Sequence, residues 1–164
     1  MEILKNNSTE KPEFCSEVVR KTKPDTKAVT ISGKGDPMLT FDEKAARIHR
    51  LLEQRGVKPA GHTFGVYYLN RGEVGVENVE WDACVPVADE VGVGEGMEVK
   101  HFPEAEVVAT TLTGVYGLIG PALKYLETIA HANGVKTKWP LTEVYLEEGE
   151  KTVTELQYLV EVKE

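Results

Sequence analysis

The feature that most constrains this chain is a repeat within its own sequence. Gly56-Val57-Lys58 recurs as Gly134-Val135-Lys136, which lies 78 positions further on. At the same offset, Val66-Tyr67 recurs as Val144-Tyr145. Two matches in one register indicate a duplicated unit. A period of 78 residues, present in only two copies, is too long for a solenoid repeat. The sequence therefore predicts two halves that share one topology.

The pattern around these matches predicts the same elements in each half. An extended run precedes a helix with apolar residues at helical spacing, and two strand-like runs follow it. The predicted strands cover 17–31, 63–69 and 78–87 in the first half, and 106–113, 141–146 and 153–162 in the second. This order predicts an α+β fold: a duplicated strand–helix–strand–strand unit with pseudo-twofold symmetry, an antiparallel sheet, two helices and a central ligand cleft.

The helix boundaries have local signals. Thr40-Phe41-Asp42-Glu43 has the spacing of a capping box, which predicts that the first helix begins at Thr40. Gly56 and Gly134 are placed where a left-handed residue ends a helix. Pro121 falls in the first turn of the second helix, where proline is tolerated.

The length of 164 residues is that of a single domain. We expect residues 15–164 to form that domain, from repeats at about 15–90 and 97–164. Residues 1–14 are mostly polar, which predicts a poorly ordered N-terminal extension.

The amino-acid composition limits the kinds of partner that the protein is expected to bind. The chain has 27 acidic against 19 basic residues and a net charge of -8, which disfavours direct nucleic-acid binding and leaves cationic ligands open. Two cysteines, Cys15 and Cys84, do not make a disulfide framework, so a cytoplasmic protein is expected. No secretory signal or membrane span is expected. The histidines and cysteines lack ligand spacing, so no metal and no cofactor are predicted.

Glu143 is the most informative polar position. Its repeat-mate is Gly65, so the repeat itself does not require a carboxylate there. Alternation places Glu143 and Tyr145 on one face of a strand. Two interpretations stay open: a solvated strand residue, or a carboxylate buried in an aromatic site, where it needs a cation or hydrogen-bond donors.

The aromatic residues are few but concentrated in or beside the predicted strands. They are either ordinary core or the walls of a site for a flat or cationic ligand. Aligning the last strands of the two halves on their apolar pattern places Trp81 at the position of Leu156. The residues concerned are Tyr67, Tyr68, Trp81, Tyr116, Trp139, Tyr145 and Tyr158.

Several segments of the chain follow one another in a recognisable order and spacing. They are FGVYY (64–68), WDACVPV (81–87), VVATT (107–111), TGVY (113–116), the helix to Asn133-Gly134, PLTEVYL (140–146) and TELQY (154–158). Together they resemble the GyrI-like small-molecule-binding domain, which also occurs as the effector-binding domain of AraC- and MerR-type multidrug transcription regulators. The resemblance covers about residues 15–162.

The resemblance implies a duplicated fold whose central cleft binds bulky amphipathic, aromatic and often cationic compounds. It also implies that Glu143 reaches into the cleft and that Tyr158 is the matching aromatic of the last strand. With the aromatic pattern, the predicted ligand contacts are Glu143, Tyr145, Tyr158, Trp81, Tyr116, Tyr67 and Phe41.

The family suggests sequestration or sensing of such compounds as the function. The alternative it offers is hydrolysis of cyclopropanoid DNA-alkylating toxins, with Glu143 and Tyr158 as the catalytic pair. An interaction module that inhibits a topoisomerase and a haem protein are further alternatives.

This chain departs from the family pattern in two places. Val115 replaces the proline of a G-P-Y turn, and Leu156 stands where some members carry a second acid. No helix-turn-helix is predicted before the domain, so we expect a protein that stands alone or acts in trans.

Overall fold

The structure is a computed structural model that describes residues 1–6, 9–69, 71–149 and 151–162. These residues form nine strands and three α-helices. In chain order they are β1 (Glu2–Ile3), β2 (Val19–Lys23), β3 (Thr26–Lys34), α1 (Pro37–Gln54), β4 (Phe64–Tyr67), α2 (Arg71–Val74), β5 (Glu80–Val87), β6 (Glu98–Phe102), β7 (Ala105–Thr113), α3 (Ile119–Ala132), β8 (Thr137–Glu147) and β9 (Val153–Val160).

The elements belong to two compact units. Unit 1 comprises Met1–Lys23 and Ala105–Glu164, and unit 2 comprises Pro24–Glu104. In unit 1 the strand order is β1-β2-β7-β9-β8, and in unit 2 it is β4-β5-β3-β6. Every strand pair within each unit is antiparallel.

The duplicated topology is confirmed. The first copy runs β3–α1–β4–β5 and the second runs β7–α3–β8–β9, so the fold is α+β with two principal helices. The extended run predicted at 17–31, before the first helix, is broken by Pro24 into β2 and β3. Proline cannot donate a ladder hydrogen bond, which is why one predicted strand becomes two.

Strand register corrects the predicted alignment of the two copies. Ile31, the sixth residue of β3, pairs with Ala83, while Thr110, the sixth residue of β7, pairs with Leu156. Ala83 is therefore equivalent to Leu156, and the prediction that Trp81 takes this position is wrong by two residues. An apolar pattern of period two cannot detect a shift of two, because the same face stays buried.

The first helix starts earlier than predicted. The Asp36 side chain accepts a hydrogen bond from the Met38 amide at 3.0 Å, and Pro37 occupies the first helical turn. The capping box at Thr40 is therefore wrong, since an acidic N-cap followed by proline already begins the helix. The predicted C-terminal ends of both principal helices are confirmed, because Gly56 and Gly134 have left-handed φ angles of 67° and 74°.

The core of unit 2 lies between α1 and one face of its strands. Alternate residues of β3 and β5 contact the apolar side of the helix. The buried cluster is Val29, Ile31, Ile48, Leu51, Leu52, Val85 and Val87. In unit 1 the residues that are less than 2% exposed include Val108, Leu112, Leu126, Ile129 and Leu156.

The N-terminal segment is more structured than its polar composition predicts. Strand β1 pairs with β2, and the buried Leu4 donates its amide to the Val18 carbonyl at 2.8 Å. The prediction of poor order is wrong for this part, because main-chain pairing with β2 and the burial of Leu4 hold it against the sheet. None of the helices in the described ranges is long and apolar enough to cross a membrane.

Candidate functional site in unit 1

Three predicted site residues share one face of unit 1. On β8, Glu143 pairs with Leu156 and Tyr145 pairs with Thr154, while Leu141 pairs with Tyr158. Directly opposed residues of antiparallel strands project to the same face. Glu143, Tyr145 and Tyr158 are therefore neighbours on one surface, and successive strands place them there.

Glu143 is a buried carboxylate. Its residue is 8% exposed, and the Tyr145 hydroxyl donates a hydrogen bond to Oε1 at 3.1 Å. The interpretation of Glu143 as a solvated strand residue is therefore wrong. Burial of a carboxylate is costly, and the hydrogen bond from Tyr145 contributes to offsetting the lost hydration.

Two edge-to-face aromatic pairs lie near this carboxylate. The ring centroids of Tyr116 and Tyr145 are 6.3 Å apart at 85°, and those of Trp139 and Tyr158 are 5.7 Å apart at 64°. Trp139 precedes Glu143 on β8 and Tyr145 follows it. Tyr116 is 38% exposed, so this ring presents aromatic surface to solvent.

Tyr158 is held as a neutral phenol. Burial raises the pKa of its hydroxyl above the usual range, and the charges of Glu127 and Glu143 raise it further. Glu127 belongs to α3, so the helix packs on the same face as the three site residues. At neutral pH the Tyr158 hydroxyl is a hydrogen-bond donor, not a nucleophile or base.

Glu127 also lines a groove of about 680 Å³ on unit 1. The groove lies between the C-terminal half of α3 and the residues that lead into β8. Its lining mixes both charges with small apolar groups: Glu127, Thr128, His131, Ala132, Val135, Lys136, Thr137 and Glu161.

Unit 2 has no carboxylate at the position of Glu143, and the structure explains why. Gly65 pairs with Ala83, just as Glu143 pairs with Leu156. A Cβ on Gly65 would lie 2.8 Å from the Tyr67 hydroxyl oxygen and 3.0 Å from Phe41 Cε2. Two aromatic rings fill the space that a side chain would need.

This packing predicts that Gly65→Ala destabilises the protein. The added methyl group must displace Tyr67 or Phe41, and overpacking of this kind costs about 1–3 kcal/mol. Urea unfolding measures the loss. Gly61→Ala is the matched control, since its Cβ would make an ordinary contact of 3.5 Å with Pro86. Equal stability of the two variants would contradict the argument.

The remaining predicted contacts lie in unit 2 and are packed as core. Phe41, Tyr67 and Trp81 are 7%, 8% and 1% exposed. Phe41 and Trp81 have ring centroids 5.6 Å apart, and Trp81 Nε1 donates to the Gly35 carbonyl at 3.0 Å. The seven predicted residues thus form two groups, with Glu143, Tyr145, Tyr158 and Tyr116 in unit 1.

A polar cluster in unit 2 was not predicted. Asp82 is 1% exposed and accepts hydrogen bonds from Ser32 Oγ at 2.6 Å, Tyr68 Oη at 2.6 Å and Lys100 Nζ at 2.8 Å. Burial acts to raise the pKa of Asp82, but these three donors outweigh it and hold the pKa below its usual range. A lone aspartate inside the apolar run after Trp81 is the signal that could have found it.

The chain is similar to known proteins over nearly its whole length. A family model, the GyrI-like small molecule binding domain, matches residues 16–163. No curated protein matches the chain. Among solved structures, the EcmrR C-terminal domain has a TM-score of 0.78 at 17% identity, with 89% of this chain and 98% of that domain covered. In the EcmrR–DNA complex, this chain spans 59% of the EcmrR chain.

Two further structures have the same fold. A hydrolase from Listeria innocua has a TM-score of 0.69 at 14% identity, with 88% of this chain and 91% of that chain covered. SAV2435 bound to tetraphenylphosphonium has a TM-score of 0.61 at 11% identity, with 89% of this chain and 94% of SAV2435 covered. The family model spans both copies of the repeat and the segments that carry Glu143 and Tyr158, and the chain belongs to the GyrI-like small-molecule-binding domain family.

Proposed function

We propose that the Glu143 face of unit 1 binds bulky aromatic cations, and that the protein sequesters or senses such compounds. The observation that carries the proposal is a buried carboxylate beside two edge-to-face aromatic pairs. A buried carboxylate is an electrostatically favourable neighbour for a cation that is itself removed from water. Ring faces add a cation–π attraction of about 0.5–2 kcal/mol.

Two further facts support a cationic ligand. The net charge of -8 raises the local concentration of cations around the protein. SAV2435, which shares the fold, binds tetraphenylphosphonium, an aromatic cation. The contacts predicted for Phe41, Tyr67 and Trp81, and the cytoplasmic location, stay predictions.

Binding to the wild-type chain is the direct test. We expect tetraphenylphosphonium to bind saturably at one site and to displace a rhodamine-type dye, whose fluorescence anisotropy reports its binding. Competition between two unlike cations separates a site from diffuse attraction to an acidic surface. Linear, non-saturating signals for both cations would reject the proposal.

Hydrolysis of an activated cyclopropane is the second candidate function. It is favoured by the protonated Tyr158 hydroxyl beside a buried carboxylate. Glu143 would take a proton from water while the water oxygen bonds to one ring carbon. The ring bond from that carbon to the carbon next to the carbonyl would break, and its electron pair would pass into the enolate. A tyrosine hydroxyl would stabilise the enolate that forms at the conjugated carbonyl.

Turnover of such a cyclopropane distinguishes the two functions. If the protein is a hydrolase, Glu143→Gln abolishes turnover and Tyr158→Phe lowers it by at least about tenfold, as expected for loss of one oxyanion donor. Tyr125→Phe is the matched control, because Tyr125 is 5% exposed and its hydroxyl donates to Asn6 of the N-terminal segment. Wild-type rates equal to the spontaneous rate would leave binding as the function.

A further inference from the structure

Among the residues that the structure describes, no hydrogen-bond partner is found for the buried hydroxyl of Thr154. Thr154 lies on β9 and is 0% exposed. A buried hydroxyl without a partner costs stability, and valine would fill the same volume without that cost. A position that keeps threonine under these conditions needs an explanation.

The register of β9 places this side chain on the face that carries the candidate site. Thr154 pairs with Tyr145 on β8 and with Leu112 on β7. Its side chain therefore projects to the face that carries Glu143, which occupies the diagonal position on β8 at about 7–8 Å. The other unpartnered buried atom among the described residues, Gln157 Oε1, lies on the opposite face.

We infer that Thr154 is a specificity-determining residue that hydrogen-bonds an uncharged polar group of the ligand, with a carbonyl as the simplest case. The inference rests on the proposed function. Three parts of the site would then contact different parts of the ligand. Glu143 compensates the positive charge, and Tyr116 and Tyr145 contact aromatic rings. The Thr154 hydroxyl donates a hydrogen bond to the carbonyl oxygen. The preferred ligands are then aromatic cations that carry a carbonyl, rather than purely hydrocarbon cations.

Two matched cations test the inference. They are tetraarylphosphonium ions in which one ring carries a 4-acetyl or a 4-isopropenyl group, which have nearly the same shape and differ in the carbonyl oxygen. We expect the wild-type chain to prefer the acetyl cation by about three- to tenfold, the ratio for one neutral hydrogen bond. In Thr154→Val this preference should disappear. Thr142→Val, buried on the opposite face of β8, should retain it.

Thermal unfolding of the protein without ligand tests independently whether the Thr154 hydroxyl lacks a partner. Thr154→Val should raise the melting temperature by about 2–4 °C, because it removes an unpartnered hydroxyl from a chain of this length. A lower melting temperature would mean that the hydroxyl is already satisfied, which would overturn the inference. Equal wild-type affinity for the two cations would also overturn it while leaving the proposed function intact. Failure of both cations to bind would reject the proposed function and the inference together.

Discussion

Replacing Glu143 by glutamine is expected to weaken the binding of an aromatic cation by about ten- to a hundredfold. The substitution keeps the shape of the side chain and removes its charge. A hydrogen bond or ion contact to a charged group is worth about 1.5–3 kcal/mol, which corresponds to this range. The loss is seen directly in the dissociation constant of tetraphenylphosphonium.

Two controls show whether the effect of Glu143→Gln comes from the lost charge. An uncharged aromatic of similar size, such as triphenylphosphine oxide, should bind Glu143→Gln and wild type almost equally. Glu155→Gln removes a carboxylate from the opposite face of β9, where Glu155 is paired with Lys21 at 2.9 Å, and should leave cation affinity unchanged. If cation and neutral ligand were weakened alike, Glu143 would support the fold instead of the site.

Substituting Gly33 by alanine is expected to cause the largest loss of stability among single methyl additions to unit 2. A Cβ there would lie 2.4 Å from Trp81 Cζ2 and 2.5 Å from Cη2. Trp81 is 1% exposed and held by its hydrogen bond to Gly35, so the ring cannot move aside freely. Overpacking of this severity belongs at the upper end of the usual 1–3 kcal/mol.

A double substitution shows whether the ring is the cause. Trp81→Phe alone should destabilise the protein by leaving a cavity, but in the Gly33→Ala background it should cost less, because the smaller ring makes room for the methyl group. Gly92→Ala is the control, since nothing lies within 4 Å of its Cβ. Purely additive free energies of unfolding from urea titrations would show that Gly33 and Trp81 are not in contact.

Local signals in the sequence predicted a large part of the fold. The recurrence of Gly56 at Gly134 fixed both helix ends, since a left-handed residue ends a helix by backbone geometry alone. Strands β1 and β6 were missed because short edge strands have little apolar pattern of their own. Glu98–Phe102 forms a strand because β3 offers it an open edge, which is a property of the folded unit.

The candidate site, like the fold, was predicted from the sequence only in part. Alternation along β8 correctly placed Glu143 and Tyr145 on one face, but alternation cannot say which face a helix covers. The burial of Glu143 follows from tertiary packing, which alternation along one strand does not encode. Thr154 and Glu127 were missed because their relation to Glu143 depends on the pairing of β8 with β9 and on the docking of α3, and neither is encoded at a fixed sequence spacing.

The central claim, that a carboxylate makes this site select cations, is tested most directly by two ligands of equal shape and opposite charge. Calorimetric titration of the wild-type chain with tetraphenylphosphonium and with tetraphenylborate should be made at a salt concentration of about 0.15 M or above, which screens the diffuse attraction of the acidic surface. We expect the phosphonium to bind at least about tenfold more tightly, and Glu143→Gln to remove most of that preference. Equal affinities, or tighter binding of the borate by the wild-type chain, would contradict the account.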